Sequence, residues 1–214
     1  GLVRGASKGE GLGNQFLGNI RSTDAIVHVV RCFEDENIVH VEGSIDPLRD
    51  IEVVETELLL KDIETVEKRL DKAKKMSKSG NKEMIAEAAF IERLSAHVND
   101  GKPARTFEVD KMEAELFKGL FLLTAKPVLY VTNVDEDSLA DGNALVERVK
   151  AHAEAVGAET ALISAAIEAE IAELEEDEKA DFLIGLGLEE SGLDRLSRAG
   201  YALLGLKTYF TAGP

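Results

Sequence analysis

Apolar residues in this chain recur in two different rhythms. Ala25-Ile-Val-His-Val-Val-Arg-Cys32 is a short β-branched run, too short for a solitary helix and suited to a strand covered on both faces. Val128-Leu-Tyr-Val-Thr-Asn133, just after Pro127, and Thr160-Ala-Leu-Ile-Ser164, just after Gly157, read the same way. Helical stretches are expected between these two at 143–156 and after them at 167–186 and 191–205. Strands alternating with helices predict parallel βαβ crossovers, with ligands at the carboxyl ends of the strands.

The middle follows the helical period. Ile51, Val54, Leu58, Ile63, Val66, Leu70 and Ala73 form one stripe, and Met84, Ala88, Ile91, Leu94 and Val98 form another. The breaker Ser77-Lys-Ser-Gly-Asn81 separates them, which predicts an antiparallel helical hairpin over roughly 51–100 and a third helix near 110–123. The fold class is therefore α/β, a mostly parallel sheet with helices on both faces, interrupted by a helical insertion. The expected division is 1–50 with 124–214 for the α/β domain and 51–123 for the insertion.

Composition narrows the setting. No apolar run approaches the roughly 20 residues needed to cross a bilayer, no secretory signal opens the chain, and Cys32, the single cysteine, has no internal disulfide partner. A cytoplasmic protein without membrane contact is expected. The net charge of −16 argues against a surface drawn as a whole to nucleic acid. Residues 68–82 run the other way: Lys68, Arg69, Lys72, Lys74, Lys75, Lys78 and Lys82 face Asp71 alone. Such a tip is either a solvated helix end favoured by the macrodipole or a contact for phosphates.

Several segments invite chemistry. Gly9, Gly11 and Gly13 lack the third glycine and the preceding strand of a dinucleotide fingerprint, so that reading fails. Asn133-Val-Asp-Glu136 follows a strand, and Ser164-Ala-Ala166 closes the next one. Taken alone, these are an acidic turn and a small-residue turn. The acidic series from Glu168 to Glu178 reads as a solvated helix face rather than a metal site, because successive acids on a helix point in different directions. His28 is expected in the core, and His97 and His152 on exposed helix faces.

The order of these pieces resembles the YchF/Obg-like ATPase family of P-loop proteins. Gly1-Leu-Val3 matches the end of the family's Asp-x-Ala-Gly-Leu-Val segment, and Lys8-Gly-Glu-Gly-Leu-Gly-Asn-Gln-Phe-Leu17 matches its second switch, including Lys8, Gly9, Gly11 and Gly13. The resemblance continues through Val29–Phe33, Asn37–Val41 and Thr208–Gly213. It implies an NTPase whose phosphate loop and Mg²⁺ ligands would precede Gly1 and whose TGS domain would follow Gly213, the fragment alone being inactive. It implies nucleotide contacts at Gly1, Asn133, Val134, Glu136, Ser164, Ala165 and Ala166.

Where guanine-specific relatives carry Asn-Lys-x-Asp, this chain has Val134 and Glu136, so ATP is expected over GTP, with the valine against an adenine face. Leu2 stands where Ras-like enzymes place a water-orienting glutamine, and His40 is the expected substitute. The resemblance also implies a ribosomal partner, with RNA reached through the basic hairpin tip. A second reading makes the chain a slow nucleotide-gated binding module in which hydrolysis is secondary.

Overall fold

A computed structural model describes residues 13–38 and 43–211. They form two compact units: the described residues up to Asp24 with Glu52–Pro127, and Ala25–Ile51 with Val128 onward.

The sheet unit holds three parallel strands, β1 (Ile26–Arg31), β2 (Val128–Asn133) and β3 (Glu159–Ile163), in that spatial order. Val29 pairs with Val131, and Val131 with Ala161. Parallel neighbours need a crossover, and between β2 and β3 it is helix α5 (Ala144–Val156). Asn143 starts α5 by accepting from the Leu145 and Val146 amides, and it donates from Nδ2 to the Cys32 carbonyl at 2.7 Å. Gly157, at φ +68, ends the helix in the left-handed conformation that glycine adopts without penalty.

One face of the sheet packs Val30, Val128 and Tyr130 against Val146, Val149 and Ala153 of α5 and Ile167 and Ile171 of α6 (Ala165–Glu173). Cys32, fully buried, joins this core, and desolvation pushes its thiol up to about 12. The other face sets Leu129, Val131, Ala161 and Ile163 under Leu196, Ala199 and Leu203 of α8 (Gly192–Leu203).

β1 departs from the expectation of two covered faces: Val27 and Val29 are 48% and 58% exposed. The apolar cluster under α8 draws its sheet residues from β2 and β3, so among the described residues the β1 part of that face has no apolar cover. The helix expected at 167–186 is two, α6 and α7 (Glu176–Gly185). Leu174 and Glu175 are extended between them, and Glu175 and Glu178 form a capping box that starts the second.

The helical unit comprises α1 (Gly13–Arg21), most of α2 (Pro47–Ser77), α3 (Lys82–Asn99) and the short α4 (Ala114–Lys118). α1 groups with the hairpin, although residues 1–50 were expected with the sheet. α2 and α3 meet at Gly80, φ +77, after which Asn81 Oδ1 accepts from the Glu83 and Met84 amides. Val66, Phe90, Ile91, Leu94, Val98, Ala104 and Leu122 make the core.

The third helix, expected over 110–123, is only five residues long, and the chain after it is held by Asp62 instead. That carboxylate is 0% exposed and accepts from the Leu123 amide at 2.7 Å, the Thr124 amide at 2.7 Å and Thr124 Oγ1 at 2.6 Å. Thr124 Oγ1 in turn accepts from the Ala104 amide at 2.9 Å.

The histidines also depart from expectation. His28 is half-buried with its ring 5.7 Å from Tyr130, and His152, also half-buried, meets Tyr130 edge-on. His97 Nε2 lies 3.2 Å from the Pro103 carbonyl and 2.9 Å from Thr106 Oγ1. A strand or helix face turned to a neighbouring ring or loop gives such side chains partners that periodicity alone does not show.

Candidate nucleotide site

The carboxyl ends of β2 and β3 lie side by side because the strands are paired in register to their last residues, Asn133 opposite Ile163. Two hydrogen bonds join the turns that leave them. The Val134 amide donates to the Ile163 carbonyl at 2.9 Å, and the Ala165 amide donates to Asn133 Oδ1 at 2.8 Å. A third tie runs to β1, where the Cys32 amide donates to the Asn133 carbonyl at 2.8 Å. Asn133 thus spends its side chain on shaping the second turn.

Ala165 and Ala166 are exposed at the start of α6, a helix whose N-cap, Ser164, makes no side-chain capping bond. Ser164 is fully buried, and its Oγ has no partner among the described residues. Glu136 is exposed in a turn closed by the Ser138 amide on Asp135 Oδ1 and the Leu139 amide on the Glu136 carbonyl. An open pair of turns with an exposed carboxylate on one and, on the other, the exposed Ala166 amide beside the Ala165 amide that Asn133 holds can read a planar, polar ring.

Val134 does not take the place expected for it. Its side chain is 3% exposed and packs in the sheet-unit core with Leu139 and Val146, so it offers no surface to a base.

Other expected site residues lie elsewhere. Gly1, Leu2, Lys8, Gly9, Gly11 and His40 lie outside the described residues, and Gly13 opens α1 in the helical unit. Residues 33–38, which lead toward His40, are pinned by Arg31: its guanidinium donates to the carbonyls of Phe33, Asp35 and Ile38 and lies over the Phe33 ring.

Three of the basic hairpin residues have acidic partners: Lys68 pairs with Glu64, Arg69 with Glu87 and Lys74 with Glu92. Hydrogen bonds from Lys61 and Lys68 hold Glu64 down at about 2. Lys72, Lys75, Lys78 and Lys82 are exposed and in no ion pair among the described residues. No cluster of three or more His, Cys, Asp or Glu suited to a metal occurs among the described residues, and no helix among them is long and apolar enough to cross a membrane.

Glu168 and Gly192 are not singled out by the sequence. The glutamate sits in a run of acids that reads as a solvated face, and only the spatial meeting of the two marks them: Glu168 Oε1 accepts from the Gly192 amide at 2.6 Å.

A parallel sheet covered by helices on both faces, with an Asn-led turn bonded to a small-residue turn at its carboxyl end, defines an α/β unit of the P-loop NTPase class. No family model matches the chain. It is 52% identical to the ribosome-binding ATPase YchF of Bacillus subtilis over 215 residues, covering 100% of this chain and 59% of that protein. With the protein of the same name from Haemophilus ducreyi the identity is 53% over 213 residues, covering 100% of this chain and 58% of the relative. The solved structure of the Schizosaccharomyces pombe YchF GTPase superposes with a TM-score of 0.83 at 37% identity, over 95% of this chain and 56% of that one. The chain is homologous, along its whole length, to the YchF family. It spans less than two thirds of the length of the relatives it matches.

Proposed function

We propose that this chain supplies the base-binding part of an ATP-binding and ATP-hydrolysing protein that works with the ribosome in the cytoplasm. The observation that carries this reading is the Asn133–Ala165 hydrogen bond, which holds the two turns together beside the exposed Glu136. Guanine offers two adjacent donors that a short carboxylate spans. A glutamate carries its oxygens one methylene too far, while adenine, with one amine donor and ring acceptors, suits backbone amides and carbonyls. In this reading Mg²⁺ and the phosphates are held by groups other than these two turns.

Competition binding to the full-length protein is expected to show ATP bound more tightly than GTP, and Glu136→Asp to move the ratio toward GTP. A tenfold GTP preference in the wild type, about 1.4 kcal/mol, would overturn the assignment. Placing lysine at position 134 is a poor test, since an ammonium there would be desolvated in the core.

The exposed, unpaired Lys72, Lys75, Lys78 and Lys82 favour a second role, nucleotide-gated binding to ribosomal RNA in which hydrolysis is secondary. Co-sedimentation of the full-length protein with ribosomes across a salt series tests it. With all four changed to Glu, binding is expected to weaken and the salt slope to fall by about one for each phosphate no longer neutralised. Unchanged binding and slope would leave the four lysines as solvated surface.

A further inference from the structure

Glu168 belongs to two structures at once. Its amide donates to the Ser164 carbonyl at 2.9 Å and closes the first turn of α6. Its carboxylate leaves α6 for the start of α8, where Oε1 accepts from the Gly192 amide at 2.6 Å and Oε2 from the Leu193 amide at 3.2 Å. The first turn of any helix has unmet N–H groups and partial positive charge, so a carboxylate is a natural partner.

That contact depends on residue 192 being glycine. A Cβ there would stand 2.8 Å from Glu168 Oε1 and 2.9 Å from Ile163 Cγ2, closer than packed atoms approach. Ile163 is the last residue of β3, so the start of α8 is pressed against both the strand end and the glutamate. Arg195 adds a tie one turn on, donating to the Leu162 carbonyl at 3.3 Å.

The two helix ends are unequally served. α8 has its own cap, Ser191 Oγ, which accepts from the Asp194 amide at 3.0 Å, and it receives Glu168 as well. The N-cap of α6, Ser164, makes no side-chain cap bond, and its first residues, Ala165 and Ala166, are exposed. The carboxylate that meets the Gly192 and Leu193 amides of α8 therefore also fastens the first turn of α6. From the other side the same turn is held by Asn133 on the Ala165 amide.

We propose that Glu168, seated on Gly192, is a positioning residue for nucleotide-base binding: it fixes the direction of the exposed Ala166 amide by locking the first turn of α6 to α8. This inference rests on the base-site reading of the Asn133 and Ser164 turns. The glutamate touches no ligand and acts through the turn. Loss of the brace removes the base's share of affinity and leaves the phosphates' share intact.

The test compares ATP with inorganic tripolyphosphate, which has no base, by calorimetric titration of the full-length protein. The ratio of the two affinities reports the base contribution. Glu168→Ala and Gly192→Ala are each expected to weaken ATP about tenfold, about 1.4 kcal/mol, with tripolyphosphate binding unchanged. KM should rise while kcat at saturating ATP holds. Glu168→Gln, whose amide oxygen still accepts from the Gly192 amide, is expected to recover most of the affinity.

Should either alanine variant fail to fold, Glu168→Asp keeps the charge, falls short of α8 and reads the same ratio. Equal losses for ATP and tripolyphosphate would show a general loosening and overturn the proposal. An unchanged ratio in folded Glu168→Ala or Glu168→Asp would overturn it too. A wild type that binds ATP no better than tripolyphosphate would instead bring down the base-site reading on which it rests.

Discussion

Asp62→Ala is expected to lower the stability of the helical unit by about 3 kcal/mol, because it strands buried backbone donors rather than merely removing a contact. The carboxylate serves the Leu123 and Thr124 amides and the Thr124 hydroxyl, and Thr124 in turn serves Ala104. Truncation leaves two amides without partners in a region closed to water. Urea unfolding gives the magnitude, and amide exchange at Ala104, Leu123 and Thr124 gives the location. A loss under about 1 kcal/mol, the net value of one ordinary hydrogen bond, would show that water or a local shift replaces the carboxylate.

The same residue makes stability depend on pH in a definite direction. Burial pushes the Asp62 carboxyl above its ordinary range, while the bonds from Thr124 and Leu123 and the positive charge of Arg21 pull the other way without overcoming it. A raised value in the folded state means that the fold holds the proton more tightly than the unfolded chain does. The contribution is then complete below the unfolded value and is lost as pH rises through the folded one. Relative to Asp62→Asn, the wild type should gain stability as pH falls from neutral into the carboxylate range. A difference that is flat or runs the other way would mean that the hydrogen bonds outweigh desolvation.

His40→Ala in the full-length protein is expected to slow ATP hydrolysis about 100-fold, in the range for loss of a positioned acid–base group, with ATP affinity within about twofold. The family resemblance makes the His40 imidazole the group expected to place the attacking water, a task Leu2 cannot perform. A group acting in the transition state alters the rate and leaves ground-state binding alone. Both residues lie outside the described set, but the segment leading to His40 is anchored by the three carbonyl bonds of Arg31. Single-turnover hydrolysis set beside equilibrium binding decides the matter. An unaffected rate would return His40 to the status of a loop residue.

What could be read in advance follows from how local each signal is. β2 has the bounds read from sequence, Val128–Asn133, because Pro127 and the polar turn fix both ends within the chain itself. The hairpin break at Gly80-Asn81 is equally local, a left-handed glycine followed by a cap. The exposure of Val27 and Val29 was not legible, since a β-branched run looks the same whether α8 reaches over it or stops at its neighbour.

The division of α6 from α7 was hidden for another reason. Glu175 and Glu178 looked like members of one acidic face, and only their backbone geometry shows a capping box. At the site, Asn133 and Ser164–Ala166 were visible as strand-end turns. Val134 was misplaced because the apolar residue after a strand end can turn inward as easily as outward, and burial decides which. Glu168 and Gly192, 24 positions apart, become a pair only when α8 folds back on β3.

The burial of Cys32 gives the sheet unit a chemical silence with a practical use. With burial holding its thiol up at about 12, the chain's single sulfhydryl stays protonated at neutral pH and meets alkylating or oxidising reagents poorly. It also lies at 0% exposure, beneath the Asn143 side chain that clasps its carbonyl. Labelling must wait for the structure around it to open, so the rate at which Cys32 takes up a thiol reagent is a clock for the breathing of the sheet.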